Sequence, residues 1–134
     1  MDEFAGYNVT SVFKTPDFTK LGLSLRGGVP DQFLIYSFTI IKQTDLYMVD
    51  DMGIYLSNSD ECVFKANLDI HHNPMCRTSL ILALLEFRRD MANRVRKNIF
   101  DGKVITEQTV RKLMSKHLGA EGSVYDLVNG IDSL

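Results

Sequence analysis

The hydrophobic period of this chain changes once, and that change limits the fold more than any single motif. In the first half, short runs of β-branched and aromatic residues are separated by turn-forming residues. "LGLSLR" (21–26) alternates Leu21, Leu23 and Leu25 with small or polar residues, the period of a half-buried strand. "YNVTSVFK" (7–14) has the same strand-like composition. "FLIYSFTII" (33–41) has seven apolar residues of nine, with Ser37 and Thr39 on one face, as suits a central strand covered by helices on one side. "TPDFTK" (15–20), "RGGVPD" (26–31) and "KQTD" (42–45) read as turns. From residue 71 onward the spacing becomes three and four. Ile81, Leu84, Leu85, Met91, Ala92, Val95 and Ile99 mark a long helix. Asn73 is its expected N-cap, Pro74 its first position and Asp101-Gly102 its end.

Two shorter helices are expected after it. The first runs from Glu107 to Leu118, with Thr106 as N-cap, Gly119 past its end, and Val110, Leu113, Met114 and His117 on its inner face. The second runs from Ser123 to Asn129 behind a capping-box-like Ser-Val-Tyr-Asp. Strands first and helices after predict an α+β fold. An antiparallel sheet of five or six strands would be packed by one long helix and two shorter C-terminal ones. A parallel fold would need crossover helices between strands, and the first half has no room for them.

"LYMVDDMGIYLSN" (46–58) carries the strongest local pattern. Two short strands, Leu46–Val49 and Ile54–Leu56, are expected around a type I turn at Asp50-Asp51-Met52-Gly53. Asp is favoured at the first turn position and Gly at the fourth.

The 134 residues are 45% apolar, with eight Phe and five Tyr. That is enough to fill the core of one domain, residues 1–134, without a disulfide or metal. Two cysteines, Cys62 and Cys76, make no disulfide framework and fit a reducing compartment. "MDEFAGYNVT" is acidic and lacks an apolar core segment, so no secretory signal is expected there. The longest apolar run is Leu80–Leu85, too short for a membrane span. A soluble cytoplasmic protein with no membrane contact is expected. Charge is unevenly spread over the chain. Residues 1–76 hold five Lys/Arg and ten Asp/Glu, residues 77–116 hold ten and four, and residues 117–134 hold none and three. The basic segment meets either the chain's own acidic parts or an acidic partner.

Familiar catalytic patterns are missing. Cys62, His71, His72, Cys76 and His117 are zinc-ligand types, but thirteen residues separate the cysteines and there is no Cys-x-x-Cys. Pro30-Asp31 ahead of a strand bearing Lys42 matches a metal-dependent nuclease pattern only in part. Ile40 stands where the second acid would be needed. No Walker loop and no Gly-x-Ser-x-Gly occurs. Cys76 near a helix start, with His71 or His72 as base, is the one thiol-enzyme arrangement to weigh. Arg88, Arg89, Arg94, Arg96, Lys97 and Lys103, then Arg111, Lys112 and Lys116, offer a basic helical face. The alternative for that face is solvation with local pairing such as Asp90–Arg94.

"DQFLIYSFTIIKQTDLYMVDDMGIYLSN" (31–58) resembles the core of a domain family of unknown function found in prophages, mobile elements and bacteria. In that family an Asp-led strand with an Ile-x-Tyr centre precedes a Leu-Thr-Asp-Asp-Gly hairpin. Here Asp31 leads, Ile35-Tyr36 lies near the centre and Val49-Asp50-Asp51-Met52-Gly53 holds the hairpin, with Val49 in place of Thr, Met52 inserted and the family's upstream Pro-rich segment unmatched. The resemblance implies a small accessory protein of phage or mobile-element type and transfers no catalytic residue.

The expected function is therefore a non-enzymatic, regulatory or inhibitory protein-interaction domain, without cofactor, metal or catalytic residue. Its expected partner is another protein, met through Arg88, Arg89, Arg94, Arg96 and Lys97, with homodimerisation through a strand edge or the long helix as a further expectation. A nucleic-acid-binding regulator using the same basic face is the alternative. A small thiol-dependent enzyme is the third.

Overall fold

The computed structural model describes residues 4–28, 31–68, 74–101, 107–118 and 124–127, with the side chains of 96–101, 107 and 124–127 excepted. Among the described residues six strands follow the chain across one antiparallel sheet, each paired to the next. They are β1 (Asn8–Lys14), β2 (Thr19–Arg26), β3 (Leu34–Gln43), β4 (Leu46–Leu56), β5 (Cys62–Leu68) and β6 (Val124–Leu127). Two helices, α1 (Arg77–Asp101) and α2 (Glu107–Leu118), lie between β5 and β6 in sequence. The fold is α+β, as the order of periods predicts. No helix among the described residues is long and apolar enough to cross a membrane.

β3 shows why the helices choose one face. Leu34, Tyr36, Phe38 and Ile40 are buried, while Ile35, Ser37, Thr39 and Ile41 alternate with them half-buried. The buried set joins Leu23 of β2, Val49, Met52 and Ile54 of β4, and Phe64 and Ala66 of β5 in one core. α1 contributes Leu80, Leu84, Phe87, Met91 and Val95 to it, one stripe at three and four spacing. Of the apolar residues whose spacing predicts α1, Ile81, Leu85 and Ala92 are only half-buried. Phe38 and Phe87 meet edge to face at 5.7 Å, and Tyr7 closes on Phe38 at 5.6 Å. α2 keeps the predicted bounds, and buries Val110, Leu113, Met114 and Leu118.

Three expectations fail for identifiable reasons. Residues 50–53 make no turn, because β4 runs unbroken from Leu46 to Leu56. Thr39 pairs with Asp51 and Ile40 with Val49, so Asp50 is the extra residue of a β-bulge. A strand paired along both edges keeps its ladder by absorbing one residue. The hairpin on which the resemblance of 31–58 drew is therefore absent here, and the reversal lies at Thr44-Asp45 between β3 and β4.

The long helix begins at Arg77 rather than Pro74. Met75 instead exchanges two backbone hydrogen bonds with Tyr47, at 2.9 and 2.8 Å, as an isolated bridge beside β4. The first α-helical bond runs from the Leu80 N–H to the Cys76 carbonyl at 3.0 Å, which makes Cys76 the N-cap. Asn73, Thr106 and Gly119 lie outside the described residues.

The third expected helix, Ser123–Asn129, is replaced at Val124–Leu127 by β6, which pairs Val124 with Leu68 and Leu127 with Ala66. A helix of seven residues has little stability of its own, and the open edge of β5 supplies ladder bonds that a Val-Tyr-Asp-Leu segment suits.

Candidate interaction surfaces

The helix layer carries the positive charge. Seven arginines and lysines with described side chains stand on α1 and α2 (Arg77, Arg88, Arg89, Arg94, Arg111, Lys112, Lys116), against the acids Glu86 and Asp90. The residues singled out as a partner face do not share one direction. At 3.6 residues per turn, Arg88, Arg89 and Arg94 leave α1 about 100–140° apart. Arg89 and Arg94 are exposed. Arg88 is half-buried and reaches back toward the sheet, its Nη2 lying 3.9 Å from where a side chain would begin on Gly28. Arg96 and Lys97 belong to the α1 backbone, with their side chains outside the description.

Arg88 looks onto a buried polar group that the sequence did not reveal as one. Tyr36 donates its hydroxyl to Asp31 Oδ2 at 2.5 Å, and Asp31 is itself buried, at 2% exposure. Burial, then the Asp31 hydrogen bond, holds the Tyr36 hydroxyl protonated far above the usual phenol range, with Arg88 opposing. Tyr7 is raised as well, again mainly by burial, and its hydroxyl has no hydrogen-bond partner among the described residues. The tightness of the loop explains Asp31's place. A Cβ on Gly27 would collide with the Asp31 carbonyl oxygen, so only glycine lets the chain close there. Asp31 thus ties a loop to a strand, and Lys42 stands over the Tyr47 ring at 5.6 Å, which disposes of the partial nuclease pattern.

A charged contact couples the helices. His117 Nε2 and Asp90 Oδ2 lie 2.5 Å apart, and Lys116 Nζ reaches the same oxygen at 3.4 Å. The His117 hydrogen bond is the main reason the Asp90 carboxyl sits below its ordinary range. Asp90, whose spacing suits Arg94, is turned across to α2. Beside it, Arg111, Lys112, Ser115 and Lys116 line an open depression of about 400 Å³.

On the open face of the sheet, Asp50 and Asp51 stand side by side. Val49 and Met52 are both fully buried on the helix side, so the two residues between them both project outward, which is the effect of the bulge. Asp50 reaches Lys20 at only 4.0 Å. Its carboxyl is raised by burial first and by Asp51 second, with Lys20 opposing. Among the described residues no group of three or more His, Cys, Asp or Glu could hold a metal ion. Cys62 is a half-buried free thiol. Cys76 is exposed, and its contact with Ser79 Oγ at 3.3 Å lowers the thiol from its ordinary value. His71 and His72, its expected bases, lie outside the described residues.

The most exposed apolar surface is elsewhere, on β1. All seven of its residues are exposed, among them Val9 at 44%, Val12 at 54% and Phe13 at 60%. Among the described residues β1 pairs with β2 alone and forms one edge of the sheet. Leu21 and Leu25 of β2 are only partly buried, because α1 lies over the strands beyond. The composition of 7–14 predicts a strand, and nothing in it marks that strand as an edge. The readable signal was the three-residue step from Val9 to Val12, which breaks the period of two and marks a bulge.

No family model, no curated protein and no solved structure matches this chain.

Proposed function

We propose that this chain is a non-enzymatic protein-interaction domain that docks its partner along β1, regulating or inhibiting by occupation. The supporting observation is the seven-residue edge strand, exposed throughout and bearing Val9, Val12 and Phe13. An open edge supplies backbone donors and acceptors to an incoming strand, and protruding side chains give selectivity. Lys14 is the strand's one charge and stands at its end, so the middle of the edge lacks the charged residue that usually blocks pairing.

A second reading rests on the depression between Arg111, Lys112, Ser115 and Lys116. Three cations around one hydroxyl suit a phosphate, and the helix layer around them is basic, so nucleic-acid backbone is the competing ligand. One experiment separates the two. Nuclease-treated capture from the native host is run with the wild type, Val12→Lys and the double variant Lys112→Glu/Lys116→Glu. Protein docking on β1 predicts a bound protein lost with Val12→Lys and kept with the double variant. Loss confined to the double variant, with steeply salt-dependent binding to DNA or RNA, overturns it.

A further inference from the structure

We infer that the occupant of β1 is a second copy of this chain, paired antiparallel through β1 about a two-fold axis between Thr10 and Ser11. The inference rests on the reading of β1 as the docking edge and names its partner.

The direction of each β1 side chain follows from its neighbour on β2. Val9 pairs with Leu23 and Val12 with Leu21, while Ser11 pairs with Gly22. Leu23 is fully buried under the helices, so Val9 and Val12 lie on the helix side. A Cβ on Gly22 would point to the other face, where it would run into Ser11 Oγ and Thr10 Oγ1. Thr10 and Ser11 therefore share the open side, as the two residues of a bulge do. Asn8, opposite Ser24, and Phe13, opposite Lys20, are on the open side too. From Asn8 to Phe13 the pattern is open, helix, open, open, helix, open. It reads the same backwards.

A two-fold interface needs self-complementarity of this kind. Facing residues of an antiparallel pair point to the same side of the sheet, and an isologous contact must match a surface to itself. A regular strand meets that condition only when a residue pairs with its own copy. The bulge at the middle of β1 allows the axis to pass between residues instead. Val9 then faces Val12 of the second copy on the helix side, and Thr10 faces Ser11 on the open side. Phe13 is set against Asn8. Charge selects the direction. Lys14 is the single charged residue of the strand, and antiparallel pairing puts the two lysines at opposite ends of the contact, where parallel pairing would bring them together. An unrelated extended peptide can satisfy the backbone but has no reason to repeat the face pattern.

The test is sedimentation velocity on the full chain from micromolar to sub-millimolar concentration. The wild type should dimerise, and Val12→Lys should weaken the dimer by at least about tenfold, the least that one disrupted contact of 1.4 kcal/mol would give. Val12 is more than half exposed, so in dilute solution, where both are monomeric, circular dichroism and the melting temperature of the variant should match the wild type. A second measurement fixes the register. In a Cys62→Ser/Cys76→Ser background, Val9→Cys with Val12→Cys should form a covalent dimer on air oxidation. Val9→Cys alone should not, because the two copies of position 9 are roughly 10 Å apart along the strands. A monomer at every concentration, a dimer indifferent to Val12→Lys, or a covalent dimer from Val9→Cys alone overturns the self-pairing. If the chain is monomeric and Val12→Lys still loses a captured protein, docking on β1 stands and only self-pairing falls. If Val12→Lys changes neither, both fall.

Discussion

β1 and β3 are written in nearly the same alphabet and sit two strands apart in one sheet, yet their side chains meet opposite fates. "NVTSVFK" and "LIYSFTIIKQ" both mix β-branched, aromatic and small polar residues. β3 is paired on both sides, and buries every second residue beneath α1. β1 is paired once among the described residues and buries none of its own seven. Composition makes both of them strands. Position in the sheet decides which supplies core and which supplies surface, and the comparison divides stability from binding.

The sharpest way to break that division is to truncate the same residue type in both strands. Phe38 is 1% exposed and packs on Phe87 and Tyr7. Phe38→Ala should cost about 3–5 kcal/mol in urea unfolding, through lost transfer energy and the cavity left behind. Phe13 is 60% exposed, and Phe13→Ala should stay within about 0.5 kcal/mol of the wild type. Equal losses would dissolve the contrast.

A smaller effect compares two buried hydroxyls that touch the same aromatic core. Tyr36→Phe removes the hydroxyl that Asp31 accepts from and leaves the buried Asp31 side chain short of a partner, at about 1–3 kcal/mol. Tyr7→Phe removes a buried hydroxyl with no partner among the described residues, and should be neutral or stabilising in the same melts.

The smallest effects concern charge, and they differ in sign. The Asp90 carboxyl is lowered by its hydrogen bond to His117. Its contribution is present above the ordinary carboxylate value and is lost as pH falls through the lowered one. Asp90→Asn should therefore destabilise near neutral pH, by under about 1 kcal/mol for a partly exposed pair, and the difference should vanish in acid. The Asp50 carboxyl is raised by burial. The folded state holds that proton more tightly, so stability falls as pH rises from the ordinary value of 3.8 through the raised one, then levels off. Asp50→Asn should stabilise slightly at neutral pH, by no more than about 0.5 kcal/mol. Melting curves on both variants across an acid series would show the two signs.

Much of the fold was legible because long periodic signals leave little choice. The alternation through 33–41 predicted both β3 and its covered face, and the Val110, Leu113, Met114 spacing predicted α2 with its bounds. What failed was decided by pairing between distant residues. Asp50-Asp51-Met52-Gly53 has sound turn chemistry, yet β3 and β5 hold β4 straight and convert the surplus residue into a bulge. Pro74 suits a helix start, but Met75 is taken by Tyr47. Val124–Leu127 reads as a short helix until the free edge of β5 is known. The basic residues were legible as a set, but their directions were not, and Arg88 turning inward toward Tyr36 and Tyr7 divides them. β1 was readable as a strand with a step of three between Val9 and Val12. That it forms an edge depends on where the last strand of the meander stops, which no local pattern records.

If β1 is an open binding edge while β3 is structural, amide hydrogen exchange should separate them strand by strand. In dilute wild-type protein, the amides of Asn8–Lys14 should exchange much faster than those of Leu34–Gln43. Raising the protein concentration should then protect β1 selectively, in the wild type and not in Val12→Lys. Equal protection of the two strands in dilute solution, or a concentration-dependent change confined to α1 and α2, would contradict the account.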